Sequence, residues 1–449
     1  MRALKLINLK GDLFATTASF AAQAGIRLVS SLVLTRILRP QAYGIITILI
    51  SVLFVVANIV DTNVVLFIVR DKNGEEPRYL NTAWTLRFGR SLLSALGLFV
   101  CAPIISTRIY DLPSLTLPLR VFSAWFVIDA FESMSFPLAI RRKQARLQMY
   151  SELGALLVSS SFSIAYCYFF PTFWGMALAI LLNRLVMTVL SYRFYPDKRP
   201  RFQVDWTAAR EVLAYSRFTI PSSILTLATN QFDKIIFLRL FDLRLMGVYG
   251  LASNLAGSVD ALISKISQAV LYPRCAQNYR ADPNTLAIKY YTENTKIFAS
   301  IIGIPALVCG GGRLLIALLY DPRYAQAGIV LQALMVRSVL LSLASPAEDL
   351  LISTGAYHVI LTANVMRTAW IVGGSLGGYY LFGFQGFIYG FALSGLPPLV
   401  YYLWLQKAKG MLMYRYELLR VGFALAAGGT SYVASGLLMS LWHVSRLRL

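Results

Sequence analysis

Residues 13–34, LFATTASFAAQAGIRLVSSLVL, and the segment Arg36-Ile-Leu-Arg-Pro-Gln-Ala-Tyr-Gly44 that follows them decide the fold class of this chain. The first stretch is long enough to cross a bilayer as one helix. Near its middle lie Gln23 and Arg27, in step with serines at the same four-residue spacing, so one helical face is polar. An arginine at mid-membrane costs roughly 2.5 to 3.5 kcal/mol and usually faces a bundle interior or a water-filled cavity. The sequence therefore predicts a helix bundle with a polar interior.

The composition supports a membrane protein throughout. Of 449 residues, 57% are hydrophobic and only 14% are charged, and apolar runs of about 20 residues recur from end to end. The formal charge of +21 comes from lysines and arginines in the short gaps between the runs, where they set membrane orientation. We therefore predict an all-α polytopic membrane protein with a cytoplasmic N-terminus and no nucleic-acid partner. Four widely spaced cysteines and two histidines give no metal-binding pattern.

Apolar runs and polar gaps predict two sets of six spans and one further element at the C-terminal end. A polar stretch rich in proline and basic residues separates the two sets and is predicted to be a cytoplasmic linker. The last element is either one extra helix or a hairpin, and the sequence leaves both open. The predicted spans lie near 13–34, 44–68, 84–107, 118–140, 151–170, 173–193, 217–240, 246–270, 294–319, 326–344, 357–381, 384–406 and 417–441.

Two weak internal matches indicate that the two sets of spans are repeats. Arg36 precedes Gly44 by eight residues, as Arg239 precedes Gly247, and Tyr-Asp follows the third span of each set. Because six is even, both sets enter the membrane from the same side, which predicts two six-helix bundles related by a pseudo-twofold along the membrane normal. Such a pair is typical of alternating-access transporters. The predicted domains are 1–195, a linker 196–216, 217–410 and the C-terminal element 411–449.

Carboxylates inside the predicted spans are candidates for coupling to a proton or sodium gradient, since such groups are typical relays and ion ligands. An enzyme is not predicted: no glycine is followed by lysine, so no phosphate-binding loop exists, and neither histidine can join a Ser/His/Asp set. No cofactor beyond an ion gradient is expected. The candidate ion-coupling residues are Asp61, Asp129, Glu132, Asp233 and Asp260.

Four stretches resemble one known family. The run Arg36-Ile-Leu-Arg-Pro-Gln-Ala-Tyr-Gly-Ile is similar to the R-x-L-x-P-x-x-Y-G signature of polysaccharide-transporter flippases, within the multidrug/oligosaccharidyl-lipid/polysaccharide exporter superfamily. Three further stretches agree with it in order: Asp233-Lys234 leading into Phe241 to Ala252, Leu319-Tyr-Asp-Pro-Arg-Tyr-Ala-Gln-Ala, and Ser353-Thr-Gly-Ala with Asn364. The resemblance covers roughly residues 10 to 410. It implies a flippase built from many membrane-spanning helices.

The resemblance implies flipping of an undecaprenyl-diphosphate-linked oligosaccharide across the bacterial inner membrane, for exopolysaccharide or O-antigen-type synthesis. Membrane lipids and polysaccharide polymerase or assembly proteins are the implied partners. Arginine suits phosphate oxygens, and amides suit sugar hydroxyls. The alternative is a cation-coupled, multidrug-type small-molecule exporter of the same superfamily. The candidate substrate-binding residues are Arg27, Gln23, Arg184, Lys234, Arg337, Arg367, Asn364 and Asn230.

Overall fold

The computed structural model describes residues 2–59, 64, 68–69, 73–142, 144–195, 200–211, 231, 233–234, 236–237, 239–356 and 358–446. Within these ranges all regular elements are helices, as the sequence predicts. The chain divides into two compact units, Met1–Leu227 and Ala228–Leu449. Each unit is built from long apolar helices, and the protein is an all-α polytopic membrane protein.

The first unit begins with two long helices joined by a short, well-fixed turn. Pro40 is the first residue of the second helix, where its fixed φ and missing N–H are tolerated. Leu38 in the turn is fully buried, and the Tyr43 hydroxyl donates back to the carbonyl oxygen of Ser31 at 3.4 Å. The described helices of this unit are α1 (Arg2–Ile37), α2 (Pro40–Ile59), α3 (Pro77–Ile104), α4 (Thr116–Phe122), α5 (Ala124–Ala130), α6 (Ser135–Arg141), α7 (Ala145–Phe169) and α8 (Trp174–Ser191).

The predicted span 118–140 is not one continuous helix. It is divided into α4, α5 and α6, and the chain bends by 56° at the break between Ala130 and Ser135. A broken helix at membrane depth is tolerated only where its free backbone groups are satisfied by protein or water. The break therefore marks a place where neighbouring helices must supply hydrogen-bonding partners.

The second unit contains eight described α-helices, with a π-helical turn at Ser267–Leu271 between the first two. One junction of this unit resembles a junction of the first unit. Tyr320 and Asp321 follow a long helix and precede a 3₁₀ turn that starts at a proline, as Tyr110 and Asp111 do in the first unit. The helices are α9 (Leu243–Ile266), α10 (Tyr272–Ala281), α11 (Leu286–Glu293), α12 (Thr295–Leu319), α13 (Ala327–Ser353), α14 (His358–Ala392), α15 (Leu396–Ala408) and α16 (Tyr414–Arg446).

Helix α14 contains a sharp reversal rather than running straight. Phe382 and Gly383 have non-helical backbone angles, and Gly383 has a φ of 60°, which a residue with a Cβ rarely adopts. After the reversal the two arms lie against each other so closely that a Cβ at Gly378 would come within 2.1 Å of the Gly386 carbonyl oxygen. The reversal falls between the two spans predicted at 357–381 and 384–406.

Helix α16 is a single helix that packs along α12. Small residues permit close backbone approach, as in other membrane helix pairs. The Ser431 hydroxyl donates to the Leu307 carbonyl oxygen at 2.7 Å, and the Ser435 hydroxyl donates to that of Gly310 at 3.1 Å. Of the two C-terminal alternatives that the sequence leaves open, the described residues up to Arg446 form the helix.

Nine stretches of the described chain are long and apolar enough to cross a membrane, and a tenth is added if α4–α6 form one bent span. One of the nine, His358–Ala408, contains two of the predicted spans, 357–381 and 384–406. Helix α9 is long enough to cross a membrane, but it carries Arg244, Asp260 and Lys265 and is not apolar enough to be one of the nine. Most of the predicted span 217–240 lies outside the described residues.

Candidate functional site

A cluster of five charged side chains lies at the helix break in the first unit. Asp129 is near the end of α5 and Glu132 lies within the break, and both carboxylates are buried. Arg87 of α3 donates to Asp129 Oδ1 at 3.0 Å and also pairs with Glu132. Arg184 of α8 pairs with Asp129 and lies 2.5 Å from Glu132 Oε2. Three helices are therefore tied together by mutual ion pairs.

A third arginine lies beside the two carboxylates. Arg90, one helical turn after Arg87 on α3, is the third guanidinium, with its Nη2 3.8 Å from Asp129 Oδ2. Among the described residues, three arginines therefore lie around the carboxylates of Asp129 and Glu132. Arg184 also lies over the Trp125 ring at 4.9 Å, and its buried Nε has no hydrogen-bonding partner among the described residues.

Neighbouring side chains satisfy the backbone at the break. Trp84 Nε1 donates to the Glu132 carbonyl oxygen at 3.1 Å, and the Thr188 hydroxyl donates to that of Ile128 at 3.2 Å. The Ser133 N–H donates to the Ser191 hydroxyl at 3.0 Å, and the Ser133 hydroxyl donates to the Ser191 carbonyl oxygen at 2.7 Å. Helices α3 and α8 thus supply both the charges and the backbone partners that the broken span needs.

Two other predicted residues of the first unit, Gln23 and Arg27, are described by the structure and are not part of this cluster. Gln23 donates from Nε2 to Glu152 Oε2 on α7 at 3.3 Å, which ties α1 to α7. Gln148 donates to the other oxygen of the same carboxylate at 2.8 Å. Arg27, one turn after Gln23, is exposed on α1. Asp61 lies outside the described residues.

In the second unit, Asp233 is tied to α9. Its Oδ2 accepts a hydrogen bond from the Tyr249 hydroxyl, whereas its buried Oδ1 has no partner among the described residues. Tyr249 is fully buried and stacks on Phe237 at 4.4 Å between ring centroids. Lys234 donates to Gln231 Oε1 at 3.2 Å, and Asn230 lies outside the described residues.

Two arginines in membrane-spanning helices of the second unit form no hydrogen bond or ion pair within the described part of the chain. They are Arg337 on α13 and Arg367 on α14. Arg337 Nε and both Nε and Nη2 of Arg367 are buried and unpartnered, although Arg337 lies over the Phe391 ring at 5.1 Å. Asn364, one turn before Arg367, and Asp260 on α9 are both half-buried.

Arg367 is surrounded by charges of both signs at longer range. Arg337, Asp260, Asp233 and Glu348 all lie within its electrostatic reach. None of these carboxylates forms a close ion pair with it among the described residues, so its donors are unsatisfied even though its charge is partly balanced. This combination leaves guanidinium donors available to an incoming group of acceptor oxygens.

Sequence reasoning missed Arg87, Arg90, Glu348 and Asp349. The two arginines stand three residues apart in Trp84-Thr-Leu-Arg-Phe-Gly-Arg90, within a predicted span, and this spacing on one helical face was the available signal. The two acids are adjacent near the end of α13, beyond the predicted span 326–344. They were missed because the predicted span ended nine residues before the helix does.

The architecture is that of a known class of membrane transporter. The chain is similar to an inward-facing multidrug resistance MATE family transporter of the MOP superfamily, with a TM-score of 0.69 and 15% identity over 87% of this chain and 95% of that one. It is also similar to the lipid II flippase MurJ in an inward closed conformation, with a TM-score of 0.68 and 10% identity over 96% and 99% of the two chains. The described part of the chain therefore has the fold of these two proteins.

The family model described as "Polysaccharide biosynthesis protein" matches residues 33–328. The chain belongs to this family, which confirms the resemblance to the polysaccharide transporters. The lipopolysaccharide biosynthesis protein WzxC of Escherichia coli strain K12 is 22% identical over 79% of this chain and 73% of its own length. The succinoglycan biosynthesis transport protein ExoT of Rhizobium meliloti strain 1021 is 26% identical over 56% of this chain, and the match spans about half of ExoT, 51%.

Proposed function

We propose that this chain is a flippase that moves an undecaprenyl-diphosphate-linked oligosaccharide across the bacterial inner membrane by ion-coupled alternating access. Its product would enter exopolysaccharide or O-antigen-type synthesis. Two relatives are named for lipopolysaccharide biosynthesis and succinoglycan transport, and a structural neighbour is named as a lipid II flippase. These names support a lipid-linked saccharide as cargo.

The observation that carries the proposal is the pair of unsatisfied guanidinium groups in the second unit. Arg337 and Arg367 lie in membrane-spanning helices and hold buried N–H groups without a partner among the described residues. A buried donor without an acceptor costs about 1 to 3 kcal/mol. Phosphate oxygens match the guanidinium fork, so a diphosphate would recover this cost. An anionic head group is therefore the cargo that these side chains fit.

The other proposed residues differ in their exposure and in the contacts that they already make. We assign the half-buried amides Gln23 and Asn364 to sugar hydroxyls, and the exposed Arg27 to an anion. Ion pairs already join Arg184 to Asp129 and Glu132, which favours a partly structural role for these three residues. The full proposed set remains Arg27, Gln23, Arg184, Lys234, Arg337, Arg367, Asn364 and Asn230 for substrate, and Asp61, Asp129, Glu132, Asp233 and Asp260 for ion coupling.

We further propose that the N-terminus lies in the cytoplasm and that a proton or sodium gradient energises transport. Basic residues in the gaps on one predicted side support this orientation. Polymerase and assembly proteins are the proposed partners on the far side of the membrane. A multi-pass chain of this kind also needs the surrounding lipids as its solvent.

The test replaces single arginines in a strain that lacks the chromosomal gene and measures exported polysaccharide. We expect Arg367→Gln and Arg337→Gln to reduce export at least tenfold, and Arg27→Ala to abolish it, with normal amounts of each protein in the membrane. Loss of one phosphate contact worth about 1.4 kcal/mol is tenfold in binding. Lipid-linked oligosaccharide should accumulate in the same cells.

Arg323→Gln is the matched control, because Arg323 is exposed and is bound to Asp321 beyond the end of α12. It should export normally. Normal export from all three test variants would overturn the anionic-cargo argument. Failure of the wild-type chain itself to restore polysaccharide export in this strain would instead favour a small-molecule exporter.

A further inference from the structure

The turn after the fifth predicted span of each set carries three consecutive exposed apolar side chains. In the first unit these lie at the end of α7, where Tyr168 is 74% exposed, Phe169 73% and Phe170 60%. In the second unit they lie at the reversal in α14, where Tyr380 is 82% exposed and Leu381 and Phe382 are 75% exposed. We call Tyr168–Phe170 the first tip and Tyr380–Phe382 the second tip.

The two turns have the same construction. The stretch Tyr168-Phe-Phe-Pro-Thr-Phe-Trp-Gly175 corresponds to Tyr380-Leu-Phe-Gly-Phe-Gln-Gly386, which is shorter by one residue. In each turn the closing glycine packs against the residue eight positions before it. A Cβ on Gly175 would collide with the Cys167 side chain, and a Cβ on Gly386 would collide with the Gly378 carbonyl oxygen. Each tip therefore lies at the end of a tightly closed hairpin.

Both tips lie in long uncharged stretches of the sequence. No aspartate, glutamate, lysine or arginine occurs in residues 153–183 or in residues 368–406. The other turns on the same predicted side of the membrane all carry charge, as is usual for turns in water. The uncharged turns are the equivalent ones of the two sets. The charged residues of the other turns are Arg36 and Arg39, Arg108 and Asp111, Asp242 and Arg244, and Asp321 and Arg323.

The length of α8 places the first tip at a membrane surface. This helix has 18 residues and so extends about 27 Å, slightly less than the hydrocarbon core of about 30 Å. Arg193, just beyond its C-terminal end, is exposed and belongs among headgroups or in water. From there α8 reaches only the far edge of the core. The turn before α8 therefore lies at that edge and does not project into water.

The second tip ends at a similar depth. The first arm of α14, from His358 to Leu381, extends about 36 Å, which exceeds the core but not the 40 to 45 Å of the bilayer with its headgroups. The residues on either side of this tip face the protein. The rings of Tyr379 and Phe384 contact the Phe241 ring at 5.5 and 5.2 Å between centroids. The tip between them is left exposed.

We propose that both tips insert into the boundary between lipid headgroups and acyl chains, so that a lipid surface is the partner that each tip fits. Burial of their apolar surface in lipid is favourable, and no charge has to be desolvated. Each tip begins with a tyrosine, whose apolar ring and polar hydroxyl suit a site that is wet at one end. The cargo plays no part in this inference, which is independent of the proposed function.

The test measures the depth of single nitroxide labels in the full chain with its four native cysteines replaced. The chain is placed in vesicles of phosphatidylethanolamine and phosphatidylglycerol in equal parts. Labels at Phe169→Cys and Leu381→Cys should collide with oxygen, which concentrates among acyl chains, more often than with a water-soluble nickel complex. This ratio should be several-fold higher than at Arg323→Cys. Arg323 is the matched control, because it is exposed in a charged turn.

A ratio at either tip equal to that at Arg323→Cys would show that the tip lies in water and would overturn the inference. Few collisions with both reagents would show that protein covers the tip, which would also overturn it.

A second measurement asks whether the first tip itself binds the lipid surface. Tyr168→Ser together with Phe170→Ser should lower the ratio at Phe169→Cys toward the value at Arg323→Cys, because the apolar surface that enters the lipid is removed. The ratio at Leu381→Cys in the same double variant should not change, since that label lies in the other unit. An unchanged ratio at Phe169→Cys would show that the helices alone set the depth, and the tip would then not be an anchor.

Discussion

At the residue scale, burial of charge is the main feature of the first unit. Two carboxylates and three arginines share one site, and breaking a buried pair by removing one partner is costly because the other charge stays behind. Asp129 contacts three of these arginines and Glu132 contacts two, so removing either carboxylate weakens several ion pairs at once. Asp129 and Glu132 should therefore matter more to stability than any single arginine.

We expect Glu132→Gln to lower the free energy of unfolding by about 3 to 5 kcal/mol, because Arg87 and Arg184 would each lose one of their carboxylate partners. Arg184→Gln should cost less, since it leaves Arg87 bound to both acids. Chemical unfolding of the purified protein in detergent measures both. Glu132→Gln with wild-type stability but without export would contradict the structural role and favour ion coupling at this residue.

At the element scale, two helices depart from simple spans, and the physical reasons differ. The break between α5 and α6 persists because α3 and α8 supply its backbone partners. The reversal in α14 depends on Gly383 and on glycine-to-glycine contact between its arms. Close contact also joins α12 and α16, where Gly310 faces the backbone of Gly428. Helix α16 is therefore part of the second unit and not a loose appendage.

Gly310→Ala tests the contact between α12 and α16. The added Cβ would lie 2.3 Å from the Gly428 carbonyl oxygen and 2.6 Å from the Tyr432 nitrogen, so a helix must shift. Overpacking of this kind costs about 1 to 3 kcal/mol, which thermal unfolding in detergent would show as a lower Tm. Gly422→Ala on α16 is the control, because nothing lies within 4 Å of its Cβ and the Tm should not fall. Equal Tm values for the two variants would show that the helices do not meet at Gly310.

The same helix is also fixed at its N-terminal end by a charged side chain among aromatic rings. Arg420 lies 3.5 Å from the Phe298 ring centroid and donates to the Tyr290 hydroxyl at 3.1 Å and to Glu417 at 2.8 Å. Tyr291 donates to the same Glu417 oxygen at 2.8 Å. These contacts join α16 to α11 and α12, which explains how a charged residue is kept close to the membrane interior.

At the scale of the whole molecule, orientation in the membrane is the property that the charge distribution predicts. Helix α12 has 25 residues and so spans about 37 Å, enough to cross the hydrocarbon core. Arg280 on α10 precedes its N-terminal end, and Arg323 follows its C-terminal end. With a cytoplasmic N-terminus, Arg280 is predicted inside and Arg323 outside.

Single cysteines at these two sites test the orientation in a chain whose four native cysteines are replaced. A membrane-impermeant maleimide added to intact spheroplasts should label Arg323→Cys, and should label Arg280→Cys only after the membrane is opened. Both side chains are exposed, so access to the reagent is governed by the side of the membrane. The reverse pattern would show that the N-terminus is outside.

The sequence by itself determined the class, the family and most helices of this protein, because apolar length and turn residues act locally. The runs of about 20 apolar residues require helices in a bilayer, and Pro40 and Tyr43 define the first turn wherever the rest of the chain lies. The intramembrane carboxylates Asp129 and Glu132 were also visible as an unusual pair. The position of both residues within a predicted span can be read directly from the sequence.

Only the tertiary structure decided what these charges contact. Asp129 and Glu132 are joined to Arg87 and Arg184 across more than forty positions in the chain, and such pairings depend on which helices pack together. For the same reason, the structure alone shows that Arg367 lacks a partner among the described residues, whereas Arg184 has two. Charge and length are encoded locally, but the pairing of buried charges is decided by packing between distant segments.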